Sequence, residues 1–493
     1  MNPLLLTDGY KTGHHQQYPK GTTFVYSNFT PRSNKYAPKG CEQVVSFGQQ
    51  LIMKQIHEAF EKDFFSRPKD EVCGEMKREL SMYLNTDYDV SHFEALHDLG
   101  YLPINVKAIK EGTLVPMKVP VLTIYNTHPD FFWVTNYLET IISNLLWKPM
   151  TSATIAHQYR KVLTSWQEKT DAERAWFIDW QGHDFSMRGM DSVDAVISSG
   201  LGHLTSFSGS DSLPAIFGAR KFYNETGFVA GSVNATEHSV MCAGTKDDEV
   251  GTFRNLMQTY PTGILSIVSD TWDLWKVCTE HIVTLKEEIL ARDGKVVIRP
   301  DSGDPVDIIC GAWDENRLPS GNYEKTPKSG PEGKGVIELL WDVFGGTINE
   351  QGYKVLDSHI GAIYGDSITI ERADEICRRL EAKGFASTNI VLGVGSFTYQ
   401  YNTRDTFGFA MKATYVVVNG EGREIFKNPI TDDGTKKSAT GLLSVFKDDN
   451  TGAYQLHDHC DWETEDKGEL QTIYKNGQFE NQTSLTEIRE RLK

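Results

Sequence analysis

At 493 residues and 39% hydrophobic content, the chain exceeds what one core sustains and is too apolar to be disordered, so two domains are expected. A formal net charge of −17 excludes nucleic acid as a main partner, because backbone-phosphate binding needs a clustered positive field. Seven scattered cysteines with no C-x-x-C pair exclude a disulfide framework and point to a reducing compartment.

The opening Met1-Asn2-Pro3-Leu4-Leu5-Leu6-Thr7-Asp8 has no basic stretch, and its apolar run is too short for a signal peptide, so the expected location is the cytoplasm. Up to about residue 150, strands such as Phe24-Val25-Tyr26 mix with helices such as Phe47 to Phe65. The most apolar stretch, Phe131 to Trp147, is interrupted by Asn136, Glu139, Thr140, Ser143 and Asn144, so no membrane span is expected.

From about 175 to 396 one pattern recurs: a short apolar run, a polar or glycine-rich loop, then a helix-period segment. Trp176-Phe177-Ile178 leads into His183-Asp184-Phe185, Leu204 to Phe207 into Gly209-Ser210-Asp211, and Phe228-Val229-Ala230 into Ser232 and Glu237-His238. Ile264 to Val268 leads into Ser269-Asp270, and Val296-Val297-Ile298 into Arg299-Pro300-Asp301. Ile360 to Ile363 leads into Gly365-Asp366-Ser367, and Asn389 to Leu392 into Gly393-Val394-Gly395-Ser396. Leu274, Trp275, Cys278, Ile282, Leu285 and Ile289 recur at helical spacing, as do Ala373, Ile376, Cys377 and Leu380 before Gly384. Repeated strand–loop–helix units predict parallel strands with helices outside, as a barrel or a doubly wound sheet.

Trp313 to Gly335 reads as a solvated surface loop. Beyond it, Asn419-Gly420 and Asn476-Gly477 sit between short apolar runs and predict hairpins, while Ser484 with Glu487 predicts a capping box for a last helix. Both chain ends are expected to form a second domain of residues 1–150 and 397–493, with the barrel spanning 151–396.

In a barrel the C-terminal strand ends carry the ligand site, and every polar loop above falls at such an end. Loops after the last two strands commonly bind phosphate through backbone N–H groups, which suits Gly365-Asp366 and Gly393 to Ser396, with Arg299 and Arg188 adding charge. Tight strand–helix turns would use the same glycines. Ser232, Ser269 and Asp273 stand at strand ends and join the substrate-binding candidates. Carboxylates such as Asp301 suit Mg²⁺ or sugar hydroxyls, whereas for Asp270 and Asp304 a helix N-cap is the preferred reading. His457-Asp458-His459-Cys460 has metal-ligand residue types but no second spaced cluster, so a turn after a strand is expected there.

Leu6-Thr7-Asp8-Gly9-Tyr10-Lys11, His183 to Gly189, Gly209-Ser210-Asp211, Ala235-Thr236-Glu237-His238-Ser239, Val268-Ser269-Asp270, Ile298 to Gly303 and Thr403-Arg404-Asp405 occur in this order. Together they resemble the nicotinamide phosphoribosyltransferase family, over nearly the whole chain. Val394 and Ser396 depart from that family's almost unbroken glycine series. The resemblance implies an α/β protein, an irregular TIM-like α/β barrel with a second α/β sandwich domain built from both chain ends, assembling as a homodimer with shared active sites. It implies that nicotinamide and phosphoribosyl pyrophosphate become nicotinamide mononucleotide and pyrophosphate in NAD salvage. Mg²⁺ would accompany the pyrophosphate groups, with ATP as a coupled co-substrate.

Position by position, the resemblance implies that Phe185 and the other subunit's Tyr10 sandwich the pyridine, and that Asp211 accepts from the carboxamide NH₂. Arg299 would lie beside ring and ribose, Asp301 on the ribose hydroxyls, and Arg188 facing the ligand. Gly365, Asp366, Gly395, Ser396 and Arg404 would hold the 5′-phosphate; Arg32, Lys412 and Lys427 would meet pyrophosphate. His238 matches the histidine phosphorylated during ATP coupling. Alternatives are a nicotinate phosphoribosyltransferase, a phosphosugar aldolase or isomerase, and a non-catalytic nucleotide-binding protein. The aldolase would want a strand-end lysine, and the strand ends offer none.

Overall fold

The computed structural model describes residues 1–317, 323–365, 367–427 and 439–493. It divides into two compact units, Met1–Thr154 with Gly218–Thr226 and Asn402–Lys493, and Ile155–Phe217 with Gly227–Tyr401. The division thus falls at 154/155 and 401/402 rather than 150/151 and 396/397, and residues 218–226 go with the chain ends. The reason is local: Phe222 and Tyr223 are buried, the Tyr223 hydroxyl donates to Glu111 at 2.8 Å, and Gln50 and Lys54 donate to the Phe222 carbonyl.

The first unit is built on a seven-stranded antiparallel sheet in the order Glu421–Glu424, Ala410–Val418, Thr22–Thr30, Leu122–Asn126, Ile104–Ala108, Gln471–Lys475, Gln478–Phe479. Both predicted hairpins are present. Asn419 (φ 53°) with Gly420 (φ 79°), and Asn476 (φ 49°) with Gly477 (φ 83°), occupy the left-handed region that a two-residue turn demands. The Ser484–Glu487 capping box opens Leu485–Leu492. The helix expected from Phe47 to Phe65 runs Gln49–Phe60 and continues as a wider turn, Glu61–Phe65. His457 to Cys460 do not follow a strand but form the end of one, Tyr454–Cys460, with His459 Nδ1 2.8 Å from Glu424.

The second unit is a parallel sheet of β1 Gly182–Asp184, β2 Gly209–Ser210, β3 Asn234–Ala235, β4 Thr262–Val268, β5 Asp293–Arg299, β6 Ile360–Tyr364 and β7 Ile390–Val394. Their order is β2-β1-β7-β6-β5-β4-β3. One short segment serves both edges: β3 pairs with β4 while Gly231 bridges Gly209 of β2, which closes the sheet on itself. In β5, Val296 and Ile298 are fully buried in a core shared with Ile309 and Ile376 of the outer helices Pro305–Cys310 and Ile370–Ala382. Lys295, Val297 and Arg299 alternate onto the opposite face. A Cβ on Gly361 of β6 would lie 3.2 Å from Lys295 Cδ, so the lysine stem fills the space that the glycine leaves.

Three strands differ from expectation. Trp176 to Ile178 lie in helical turns ahead of β1, Leu204 ends the helix Val193–Leu204, and Phe228 to Ala230 lie ahead of β3 outside any strand. The real strands use Gly, His, Asp, Ser, Asn and Ala, because two or three paired residues at a closing seam need little side-chain burial of their own. Helical spacing from Leu274 to Ile289 survives as four consecutive pieces, Leu274–Lys276, Val277–His281, Ile282–Thr284 and Lys286–Leu290. The expected loop from Trp313 contains a hairpin, Trp313–Arg317 with Tyr323–Pro327, and a helical turn, Pro331–Lys334. No described helix is long and apolar enough to cross a membrane.

Candidate active site

The C-terminal ends of β1, β2, β4, β5, β6 and β7 carry the predicted loops. At the end of β5, the Asp301 N–H (2.9 Å) and the Ser302 hydroxyl (2.6 Å) both donate to Asp270 Oδ2 from the loop after β4. The Gly365 N–H after β6 donates to the Pro300 carbonyl at 3.2 Å. Three polar atoms here are buried with no partner among the described residues: Asp270 Oδ1, Asp301 Oδ1 and Arg299 Nε. Leaving buried charged groups unmet costs several kcal/mol, so such a cluster marks a place where something else supplies the partners. Gly365 makes the cluster possible, since a Cβ there would sit 2.6 Å from Asp301 Oδ1 and 2.8 Å from Arg299 Nε.

At the end of β1 the Phe185 N–H donates to the Val394 carbonyl of β7, and the Asp211 N–H after β2 donates to the Asp184 carbonyl. These backbone bonds fix the ring and the carboxylate. The Arg299 guanidinium lies over the Phe185 ring at 5.0 Å from its centroid. His183 packs on the same ring at 4.5 Å, and its Nε2 lies 2.9 Å from Asp211 Oδ1. The Ser232 hydroxyl donates to that same oxygen. Burial by itself would raise the Asp211 carboxyl, but the His183 and Ser232 hydrogen bonds and the Arg299 charge outweigh it and hold the group below the ordinary range. Asp211 is therefore a charged acceptor on a partly exposed surface.

Gly365 follows β6 as expected, whereas Gly393 and Val394 belong to β7 and only Gly395 and Ser396 follow it. Gly395 caps the short helix Ser396–Gln400, and Ser396 Oγ occupies the space that a side chain at Gly189 would need. Asp366 lies outside the described residues. Arg188 is exposed in the turn Met187–Gly189. His238 is the exposed first residue of His238–Ala243, with Nδ1 3.1 Å from Thr271 Oγ1.

Four acids and a serine are sorted by their bonds. Asp304 caps Pro305–Cys310, accepting from Val306 and Asp307 N–H, as its preferred reading held. Asp270 does not cap: that place belongs to Asp273, which accepts the Lys276 N–H at 3.0 Å. Asp273, a substrate-binding candidate, thus has a structural partner, whereas Asp270 joins Asp301 in the site. The hydrophobic step at Leu274 is the signal that separates them, because an N-cap immediately precedes the first helical residue. Ser269, another candidate, is buried and donates to the Ile267 carbonyl at 2.7 Å. His183, at the head of one of the quoted motifs, is a neighbour of Asp211.

The first unit holds the other candidates. Tyr10 is 65% exposed on the turn Gly9–Gly13, which buried Lys11 anchors to Glu139 at 2.7 Å. Burial lowers the Lys412 ammonium, and beyond an opposing influence of Glu139 the charges of Arg32, Lys427 and Arg404 lower it further. Arg32, Arg404, Lys412 and Lys427 therefore form one electrostatically coupled cationic group. Among the described residues no three His, Cys, Asp or Glu side chains are grouped to hold a metal ion. A cavity of about 780 Å³ lies elsewhere, beside Trp313, Asp307 and Arg379, and shares no lining residue with the strand-end loops. Its charges are mutually engaged, Arg379 with Asp307, Arg378 with Glu375 and Lys383 with Glu338.

The nicotinate phosphoribosyltransferase (NAPRTase) family matches residues 180–478, and the nicotinamide phosphoribosyltransferase N-terminal domain matches residues 2–103. A nicotinamide phosphoribosyltransferase of Acinetobacter baylyi is 50% identical over 504 aligned positions, covering 100% of this chain and 97% of that one. One from Xanthomonas campestris is 33% identical, covering 99% and 97%. In fold, the chain is similar to the nicotinate-nucleotide pyrophosphorylase of Pyrococcus furiosus, with a TM-score of 0.56, 16% identity, and coverage of 99% and 93%.

Proposed function

We propose a reaction from the premise that this chain belongs to the nicotinate phosphoribosyltransferase family: it is a nicotinamide phosphoribosyltransferase that forms nicotinamide mononucleotide and pyrophosphate from nicotinamide and phosphoribosyl pyrophosphate, in NAD salvage. The observation that carries the choice of base is the charged Asp211 carboxylate, held on one oxygen by His183 and Ser232. A carboxylate accepts from an amide NH₂ and repels nicotinate's own carboxylate.

The pyridine stacks between Phe185 and Tyr10, a flat arrangement that orients the ring at low entropic cost. Its nitrogen already holds the attacking lone pair, so no general base is needed. The ribose hydroxyls meet Asp301, and Arg299 lies beside ring and ribose. Pyrophosphate departs from a carbon that gains oxocarbenium character, which preorganised charge stabilises. Gly365, Asp366, Gly395, Ser396 and Arg404 receive the 5′-phosphate, with Arg188 facing the ligand, while Arg32, Lys412 and Lys427 neutralise pyrophosphate. The unpartnered oxygens of Asp270 and Asp301 suit the few carboxylate contacts that a phosphate-borne Mg²⁺ makes, and that ion would neutralise the leaving group.

ATP coupling passes through His238, whose Nδ1 is engaged by Thr271 and whose Nε2 is the atom to take a phosphoryl group. The working form is a homodimer in which Tyr10, Arg32, Lys412 and Lys427 serve the other subunit's site; exposed Leu213, Phe217 and Phe228 supply apolar surface for it.

Incubation with nicotinamide, phosphoribosyl pyrophosphate and Mg²⁺, read by mass for the mononucleotide, tests the reaction, and absence of product overturns it. In D211N the preference over nicotinate should fall at least 10-fold; unchanged selectivity would remove Asp211 from its role.

A further inference from the structure

Asp211, the carboxylate assigned above to the substrate's amide, is not held by its own loop alone. Both donors that reach it, His183 Nε2–H and the Ser232 hydroxyl, converge on Oδ1. Among the described residues no donor is recorded on Oδ2, so one oxygen is saturated and the other is left for a ligand. Ser232 comes from the seam of short pairings before β3, whereas His183 lies on β1 itself, with its side chain 10% exposed. The imidazole is clamped: Phe185 packs on it at 4.5 Å, and Gly209 leaves room for it, since a Cβ there would fall 2.7 Å from His183 Nδ1. A strand residue with its ring wedged between an aromatic and a glycine is a rigid ruler for the carboxylate that it touches.

We propose that His183 is the positioning residue for base selection: as the Nε2–H tautomer it fixes Asp211 Oδ2 toward the carboxamide and keeps the carboxylate from rotating or taking a proton. This deepens the reading of the site as one that binds nicotinamide and rests on it. The electrostatics agree, because burial alone pushes Asp211 toward the neutral form and the His183 bond opposes this. Without that donor the carboxylate is held by Ser232 alone, and its other oxygen is no longer fixed toward the amide. His183 then acts on discrimination and not on the ribose chemistry, which belongs to Arg299, Asp301 and the phosphate loops.

The experiment compares wild type, H183F and H183Q, each alone and with D211N, using nicotinamide and nicotinate as alternative substrates. H183F keeps a ring against Phe185 but has no donor. Its KM for nicotinamide should rise roughly 10-fold, its preference over nicotinate should fall by a similar factor, and kcat should change less than about 3-fold. H183Q, which can place an amide N–H near the Nε2 position, should recover most of the preference, and in D211N the H183F effect on preference should vanish. Wild-type preference in H183F, or a loss that persists undiminished in D211N, overturns the assignment. Should H183F not fold, the ¹⁵N spectrum of histidine-labelled wild type decides, with H183Q identifying the signal: an Nδ1-protonated tautomer overturns it. A wild type inactive with both bases sinks the parent reading, and that spectrum still reports separately on the His183–Asp211 bond.

Discussion

Gly365 and Asp270 act on the same few ångströms from opposite directions, one by having no side chain and the other by accepting two hydrogen bonds. Alanine at 365 would bring a methyl to 2.6 Å from Asp301 Oδ1, and the backbone there needs no positive φ, so the cost falls on the site and not on the turn. G365A should therefore lose at least 10-fold in kcat/KM while unfolding changes by only about 1–2 kcal/mol, compared by steady-state kinetics and denaturant titration. In D270A the Asp301 N–H and the Ser302 hydroxyl lose their acceptor. About 1–3 kcal/mol of stability should go, and activity should fall by about 10²-fold or more, because the loop bearing Asp301 is no longer fixed. Arg299, Asp301 and the glycine loops were legible as strand-end residues. Asp270 and Asp273 were not separable until the helix start was known, and the His183–Asp211 bond joins two strand ends whose adjacency no local spacing encodes.

Among the elements, legibility followed local chemistry. The Asn-Gly turns and the Ser484–Glu487 box were readable because each needs only neighbours in sequence. The strands β1, β2 and β3 were misplaced because they are two or three residues long and are paired by the ring, not by their own apolar pattern. On β5 the alternation that sends Arg299 to the site also sends Lys295 inward, where no hydrogen bond or ion pair within 4 Å meets its ammonium among the described residues. Burial first, then the Arg174 charge, lowers its pKa, against an opposing influence of Asp357. A lysine lowered in this way leaves the native state with fewer bound protons than the unfolded chain, so stability rises as pH climbs toward the ordinary lysine value. K295M should raise unfolding free energy by about 1–2 kcal/mol at neutral pH and flatten that rise, as denaturant titrations at pH 7 and 9.5 will show.

For the molecule as a whole, the repeating strand–loop–helix rhythm made the parallel sheet readable but left a barrel and a doubly wound sheet both open, while the capture of residues 218–226 by the other unit was not readable, since it depends on Phe222 and Tyr223 packing against residues far away in sequence. One source of acid sensitivity lies where the chain ends fold. His92 packs against His15 at 3.8 Å and Phe93 at 3.9 Å, both of its ring nitrogens are buried without a partner among the described residues, and burial with the His15 charge pushes it down to about 3. Because its folded pKa is depressed, the stability it supports is complete above about pH 6.5 and is lost as pH falls toward the folded value, on the order of 2 kcal/mol by pH 4.5. H92F should remove that part of the acid destabilisation, and an unchanged pH profile of melting temperature would refute it.

In the sheet of the first unit Thr22–Thr30 pairs on one side with Leu122–Asn126 and on the other with Ala410–Val418, while the seven-stranded ring needs nothing beyond Val394. On a ribosome these requirements separate in time. The ring can close while the nascent chain is still tethered, but one edge of Thr22–Thr30 must wait for Ala410–Val418. Until then that side of the strand, with buried Val25, Tyr26 and Phe29, is an unpaired edge. A stalled or truncated message would leave a finished barrel attached to a sheet still lacking that strand.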